Sequence, residues 1–218
     1  MSPVGSLDSE GTANPHTPTS PAEPVGSISP ISPVDPSGSL DSVSALRNLL
    51  QEAIEAVPPD GRVVILGCGS LFRGDDAAGS LIAMRLEDIN DRADSKACSL
   101  IGDVAPENQT GAIKQLDPDL VLIIDAVDMG LDPGEARVIS PDTIGGVSFS
   151  THMLPLPIML DYLSRELGCR ILLLGIQVAS LEFMASMTAE VAKTVEDLTA
   201  VLRDLLVSFC SLRQRHCY

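Results

Sequence analysis

The run Val63-Val64-Ile65-Leu66-Gly67-Cys68-Gly69-Ser70-Leu71-Phe72-Arg73-Gly74-Asp75-Asp76-Ala77-Ala78-Gly79 sets the architecture of this chain. Its apolar start suits a strand buried on both faces, and the residues after the glycines read as a helix. Strand, glycine loop and helix is the unit by which α/β proteins grip phosphate. Here two aspartates enter the helix where a phosphate loop carries lysine and a hydroxyl. They would repel phosphate oxygens, so the loop suits a cation or a positively charged partner. A dinucleotide fingerprint also fails, because its third glycine position is Phe72, and no nucleotide cofactor is expected.

Strands and helices alternate outward from this unit. Before it, Leu46, Leu49, Leu50, Ile54 and Val57 recur at helical spacing, and Pro58-Pro59-Asp60-Gly61 ends that helix. Asp75 or Asp76 caps the helix after the loop, whose apolar side carries Ala78, Leu81, Ile82 and Leu86. A second strand runs from Ala97 to Ile101 and ends at Gly102-Asp103; a helix over Pro106 to Leu116 follows, with proline in its first turn. A third strand, Leu120 to Ile124, is stopped by Asp125, and Glu135 to Ile139 forms a short edge strand. Pro155 or Pro157 opens a helix through Leu167, Ile171 to Ile176 is another buried strand, and the last helix starts near Thr188. The pattern predicts one α/β domain: a mostly parallel, twisted sheet with helices on both faces.

Residues 1–40 are rich in Ser, Pro, Gly and Thr and contain no Lys or Arg. Such a segment buries too little surface to offset chain entropy, so a disordered N-terminal arm is expected ahead of a folded domain over 41–218. The chain of 218 residues is 44% hydrophobic but only 3% aromatic and has no Trp, so its core is aliphatic. With 14 basic against 30 acidic residues it carries a formal charge of −16, which repels nucleic acid and anionic membrane and favours basic partners. Its 5 cysteines are scattered and odd in number, which excludes a disulfide framework and favours free thiols in a reducing cytoplasm. No apolar stretch reaches the ~18 residues of a membrane span, and no signal peptide is evident.

In a parallel sheet, ligands bind beyond the carboxyl ends of the strands. Three strands end in acid there, at Asp75 and Asp76 through the loop, at Asp103, and at Asp125. Clustered carboxylates repel one another unless a cation or shared proton intervenes. His152, in Ser150-Thr151-His152-Met153-Leu154-Pro155, precedes a helix and reaches the same end of the sheet, whereas His16 and His216 lie near the termini. Two carboxylates and an imidazole suit a borderline or hard divalent ion. There is no GxSxG elbow and no Asp-Thr-Gly aspartic-protease context, and Cys68 reads as a small buried residue.

Four stretches in order carry a resemblance. They are Leu66 to Ser70 with Gly74 to Gly79; Ala105-Pro106-Glu107-Asn108 with Gly111-Ala112-Ile113; Asp125 to Gly130 with Pro133-Gly134-Glu135; and Ser150 to Leu156 with Leu174-Gly175-Ile176-Gln177. Over about Val63 to Leu205 the chain resembles the [NiFe]-hydrogenase maturation endopeptidases, closest to the branch that processes hydrogenase 3-type (formate hydrogenlyase) large subunits. The resemblance implies a cytoplasmic, monomeric endopeptidase, of a kind often classed with aspartic-type enzymes. Its partner would be a hydrogenase large-subunit precursor, which loses a C-terminal extension after nickel insertion. It also implies that Asp76, Asp125 and His152 contact nickel carried by the substrate, with Asp75 as helix cap or supporting residue and Asp103 elsewhere in the cleft. Asp76 is the first candidate for a general base, though the attacking group stays open. Ser70 stands where the family commonly has Asn.

Two other readings compete. A non-catalytic metal-sensing factor on the same fold would bind without cutting. A receiver domain pairs two acids with an aspartate ending its third strand. It needs those acids directly after the first strand and a lysine ending the last, where this chain has an intervening loop and Gly175-Ile176-Gln177.

Overall fold

In the computed structural model, the described residues are 42–91, 95–139, 148–149 and 156–214. The expected N-terminal arm lies outside them, as do His16, His152 and His216. Helix α1 spans Ser42–Glu55, strand β1 Val63–Cys68, helix α2 Ala78–Arg85, strand β2 Ala97–Asp103 and helix α3 Thr110–Leu116. Strands β3 (Leu120–Asp128), β4 (Ala136–Ile139) and β5 (Ser148–Phe149) follow, then α4 (Leu156–Leu167), β6 (Arg170–Gln177) and α5 (Ala189–Gln214). Single 3-10 turns lead into α2 and α3, over Gly74–Ala77 and Pro106–Gln109.

The strands lie in the order β2-β1-β3-β6-β4, with β5 paired to β3. The pairs β2/β1, β1/β3 and β3/β6 are parallel, while β4 and β5 run antiparallel to their partners. This is the mostly parallel sheet that the sequence pattern predicts. Side chains alternate across it. On one face Val63, Ile65, Leu120, Leu122, Ile124, Leu172 and Leu174 pack under α1, α2 and α5. On the other, Val64, Leu66, Cys68, Val121, Ile123 and Val127 pack with Ile113 of α3 and Met159 and Leu163 of α4. Ion pairs tie α5 to the surrounding elements, from Asp204 to Arg47 of α1 and from Arg203 to Asp88 just after α2.

Two features single out the carboxyl ends of β1 and β3 as the candidate site. The chain leaves β1 for β2 on one side and then crosses to β3 on the other, so the carboxyl ends of β1 and β3 flank a switch point of the topology, where α/β folds bind ligands. Helix α2 also sits unusually close to these two strands. A Cβ on Gly79 would lie 2.2 Å from the Ile124 carbonyl and 2.5 Å from that of Cys68, and one on Gly67 would lie 2.1 Å from the Gly79 carbonyl. Glycine at both positions lets the helix start directly over the strand ends, with the loop folded beside it.

The structure corrects one boundary and adds one strand. Asp125 does not stop β3, which runs on to Asp128. The strand can continue past the end of its β1 pairing at Ile124 because β6 stays paired with it through Val127, and β5 joins at Val127 and Asp128. The short β5 has no counterpart in the sequence pattern.

Candidate functional site

The site begins with the glycine loop. Gly69 adopts φ +107°, and a Cβ there would lie 1.8 Å from the Asp76 carbonyl, so only glycine fits. The Ser70 N–H donates to the Asp76 carboxylate at 2.8 Å, and the Ser80 hydroxyl donates to the Gly69 carbonyl at 2.6 Å. Ser70 itself turns its hydroxyl oxygen to accept the Phe72 N–H at 3.3 Å. Ser70 thus makes a local loop bond through its own hydroxyl.

Neither aspartate caps α2. Its N-cap is Ala77, with no side-chain bond. Asp75, fully buried, instead reaches across to the segment joining β6 to α5. One carboxylate oxygen accepts the N–H groups of Ala179 and Ser180 at 2.8 and 2.9 Å. The other accepts the N–H and hydroxyl of Thr188 at 2.7 and 2.9 Å, just ahead of α5. The Asp75 N–H donates back to the Ser180 carbonyl at 3.1 Å. Charge-assisted bonds of this kind are roughly twice as strong as neutral ones, and an anion before a helix start also meets the favourable end of its dipole.

Asp76 and Asp125 both lie near enough to Cys68 for their charges to act on it. All three are fully buried. Cys68 ends β1, and Asp125 follows Ile124, the β3 partner of Gly67, so the two lie side by side. The strand period turns Asp125 to the same face as Cys68. Burial pushes the Cys68 thiol well above its ordinary value, and the charges of Asp125, Asp76 and Glu107 push it further. That environment is the reverse of one that activates a cysteine, so Cys68 stays a neutral thiol and is not a nucleophile.

Glu107 is the site residue that sequence reasoning missed. It comes from the turn after β2, and its Oε2 is buried without a hydrogen-bond partner. The available signal was its place in Ala105-Pro106-Glu107-Asn108, one turn beyond a strand end. Asp103 lies at the rim: it is exposed, with φ 50°, and its carbonyl accepts the Gly69 N–H at 2.9 Å. His152 lies outside the described residues, and among those residues no group of three or more His, Cys, Asp or Glu side chains is arranged to hold a metal ion. A receiver-type lysine is replaced by Gln177. Its amide oxygen accepts the Met129 and Leu131 N–H groups at 2.7 and 3.2 Å while its nitrogen donates to Asp128 at 3.2 Å. Gln177 therefore locks the turn after β3.

Comparison with known proteins places the chain. The family model described as "Hydrogenase maturation protease" matches residues 75–204. The hydrogenase 3 maturation protease of Escherichia coli K12 is 39% identical over 136 residues, which span 61% of this chain and 83% of that protein. A putative hydrogenase maturation protease of Methanocaldococcus jannaschii is 35% identical over 127 residues, covering 56% of this chain and 75% of its own length. Among solved structures, the [NiFe] hydrogenase maturation protease HycI of Thermococcus kodakarensis superposes with TM-score 0.64 at 31% identity, over 72% of this chain and 98% of that one.

Two outcomes test the site. Asp75→Asn removes the charge and sets an amide donor against backbone donors, so stability falls by about 2–3 kcal/mol; an unchanged urea midpoint would refute the clamp. The raised Cys68 value gives a second sign. Below the ordinary thiol value of 9.0 both states keep the proton. Above it the unfolded chain ionises while the folded one does not, so stability falls as pH rises towards the folded value. Cys98 and Cys169, also raised by burial, act in the same direction. Cys68→Ala therefore flattens the decline above pH 9 by up to about 1.4 kcal/mol per pH unit, and parallel curves would contradict the assignment.

Proposed function

The chain belongs to the hydrogenase maturation protease family, and on that premise we propose that it removes the C-terminal extension of a [NiFe]-hydrogenase large-subunit precursor once nickel is in place. One observation carries this reading. Asp76, on the loop after β1, and Asp125, on β3, are both fully buried where those strands flank the switch point of the sheet. Nothing in the fold requires acids to gather there.

Nickel belongs to the substrate, which holds it through cysteine thiolates. Asp76 and Asp125 contribute oxygen donors and His152 an imidazole, and such a mixed set fits a borderline divalent ion that has open positions. An apolar or basic crevice would not discriminate loaded from empty precursor, whereas this one gains affinity only when a cation is presented. The excess of acidic residues, 30 against 14 basic, draws in a basic segment ahead of the cut over long range. Within the crevice, a carboxylate beside the scissile bond takes a proton from attacking water, and Asp76 is the first candidate for that role. Nickel held there would polarise the scissile carbonyl or lower the pKa of water beside it. Asp75 has no contact of this kind to make, since its carboxylate is spent on Ala179, Ser180 and Thr188. It acts by holding the loop that carries Asp76.

The protein works in this scheme as a cytoplasmic monomer. In support, Cys68, Cys98, Cys169 and Cys210 are all free thiols. No helix among the described residues is long and apolar enough to cross a membrane.

The experiment mixes the protein with hydrogenase large-subunit precursors, with and without inserted nickel, and follows length by gel mobility. Shortening only with nickel is expected. Asp76→Asn and His152→Ala each slow it by at least about 100-fold with wild-type unfolding midpoints; the Asn amide oxygen can still accept the Ser70 N–H. Wild-type rates in both variants would remove the site assignment. Tight binding of the loaded precursor without any cleavage would favour a sensing factor instead.

A further inference from the structure

The loops that form the crevice also hold apolar side chains out in water. Leu71 and Phe72, between β1 and α2, are 42% and 63% exposed, and Phe183 and Met184, between β6 and α5, are 74% and 71% exposed. The two tips are joined, since the Met184 N–H donates to the Phe72 carbonyl at 2.7 Å. The two tips are thus neighbours, and their four exposed apolar side chains belong to one region of the surface, a ridge beside the candidate site.

The ridge is held open. Asp75 grips both ends of the second loop, at Ala179, Ser180 and Thr188, so Phe183 and Met184 cannot swing back onto the body. Met184 adopts φ 62°, a conformation uncommon for a residue with a Cβ, and maintained here by the surrounding bonds. Exposing aromatic and methionine surface has no benefit for a protein alone in water, and contiguous patches of this kind mark contact sites. Its composition agrees: across Leu71–Arg73 and Ser180–Met184 the charged residues are Arg73 and Glu182. Apolar, aromatic and charge-poor is the make-up of an interface core.

We propose that Leu71, Phe72, Phe183 and Met184 dock an apolar patch on the folded body of the precursor, apart from the terminal segment that enters the crevice. The inference rests on the reading of the crevice as the cleavage site. The ridge is continuous with that crevice, because Leu71 directly follows Ser70, whose N–H the Asp76 carboxylate holds. A second copy of this chain fits poorly, since two molecules of formal charge −16 repel each other. A maturation protease must also recognise a whole protein by more than one bond. An acidic crevice alone gives an attraction that salt screens, whereas an apolar contact persists in salt.

The test compares precursor affinity on an Asp76→Asn background, which keeps the substrate intact, with and without Phe72→Ser plus Phe183→Ser. Both residues are exposed, so the fold survives. A nickel-loaded precursor is expected to bind at least tenfold more weakly to the ridge variant, at 0.5 M salt as well as at low salt. In the Asp76-containing protein the same pair raises KM tenfold with kcat within twofold. Leu212→Ser, an exposed apolar site at the far end of α5, leaves affinity unchanged. Affinity unchanged within twofold in the ridge variant overturns the proposal. So does a failure of wild type to bind, or a wild-type dimer that the ridge substitutions dissociate without altering precursor affinity. Binding without cleavage by wild type would overturn the proposed function but not the ridge, which the affinity comparison still decides.

Discussion

Two neighbouring carboxylates, Asp75 and Asp76, are buried together, and the crevice end of the molecule depends on how they are satisfied. An uncompensated buried charge costs several kcal/mol. Here each faces a different set of N–H donors. Asp75 spans to the segment before α5, while Asp76 folds its own glycine loop around the Ser70 N–H. The loop path, the start of the longest helix and the position of the exposed ridge all follow from this division. Gly69, Gly67 and Gly79 are glycine for the same reason, because the backbone must close within contact distance of the strand ends.

Much of this was legible in the sequence. The apolar run Val63 to Leu66 before a glycine loop, repeated strand-and-helix alternation, and the final stripe through Val191, Val195, Leu198 and Leu202 foretold the sheet and its covering helices. The acids at the strand ends pointed to the carboxyl edge of the sheet as the candidate site. What failed was local. An aspartate after an apolar run reads as a stop, yet β3 continues past Asp125 because β6 stays paired with it through Val127 and β5 joins at Val127 and Asp128; a two-residue strand such as β5 leaves no periodic trace. An aspartate before a helix reads as a cap, yet Asp75 bonds a segment more than a hundred positions away in the chain. Glu107 escaped notice because a glutamate in a turn is ordinarily solvated, and only the fold brings it beside Cys68.

The chemistry and the electrostatics of the crevice are consistent with each other. Burial first, and then the charges of Asp125, Asp76 and Glu107, hold Cys68 as a neutral thiol, so it packs and does not attack. Carboxylates that repel one another in an empty crevice are relieved by a cation, and this supplies a physical route from metal presentation to productive docking. In that scheme the substrate carries the ion that completes the site, and the protease senses maturation by being incomplete without it. On the proposed reading, the same end of the sheet would serve two tasks, with acids recognising the loaded terminus and the apolar tips beside them engaging the body of the substrate.

The most direct measurement is X-ray absorption at the nickel of a loaded precursor made resistant at its scissile bond, alone and in complex with this protein. The account predicts additional oxygen and nitrogen ligands at nickel on complex formation, with fewer of them when His152→Ala or Asp125→Asn replaces the wild type. An unchanged nickel spectrum in a complex shown to have formed would contradict it, since the carboxylates and imidazole would then have no part in reading the metal.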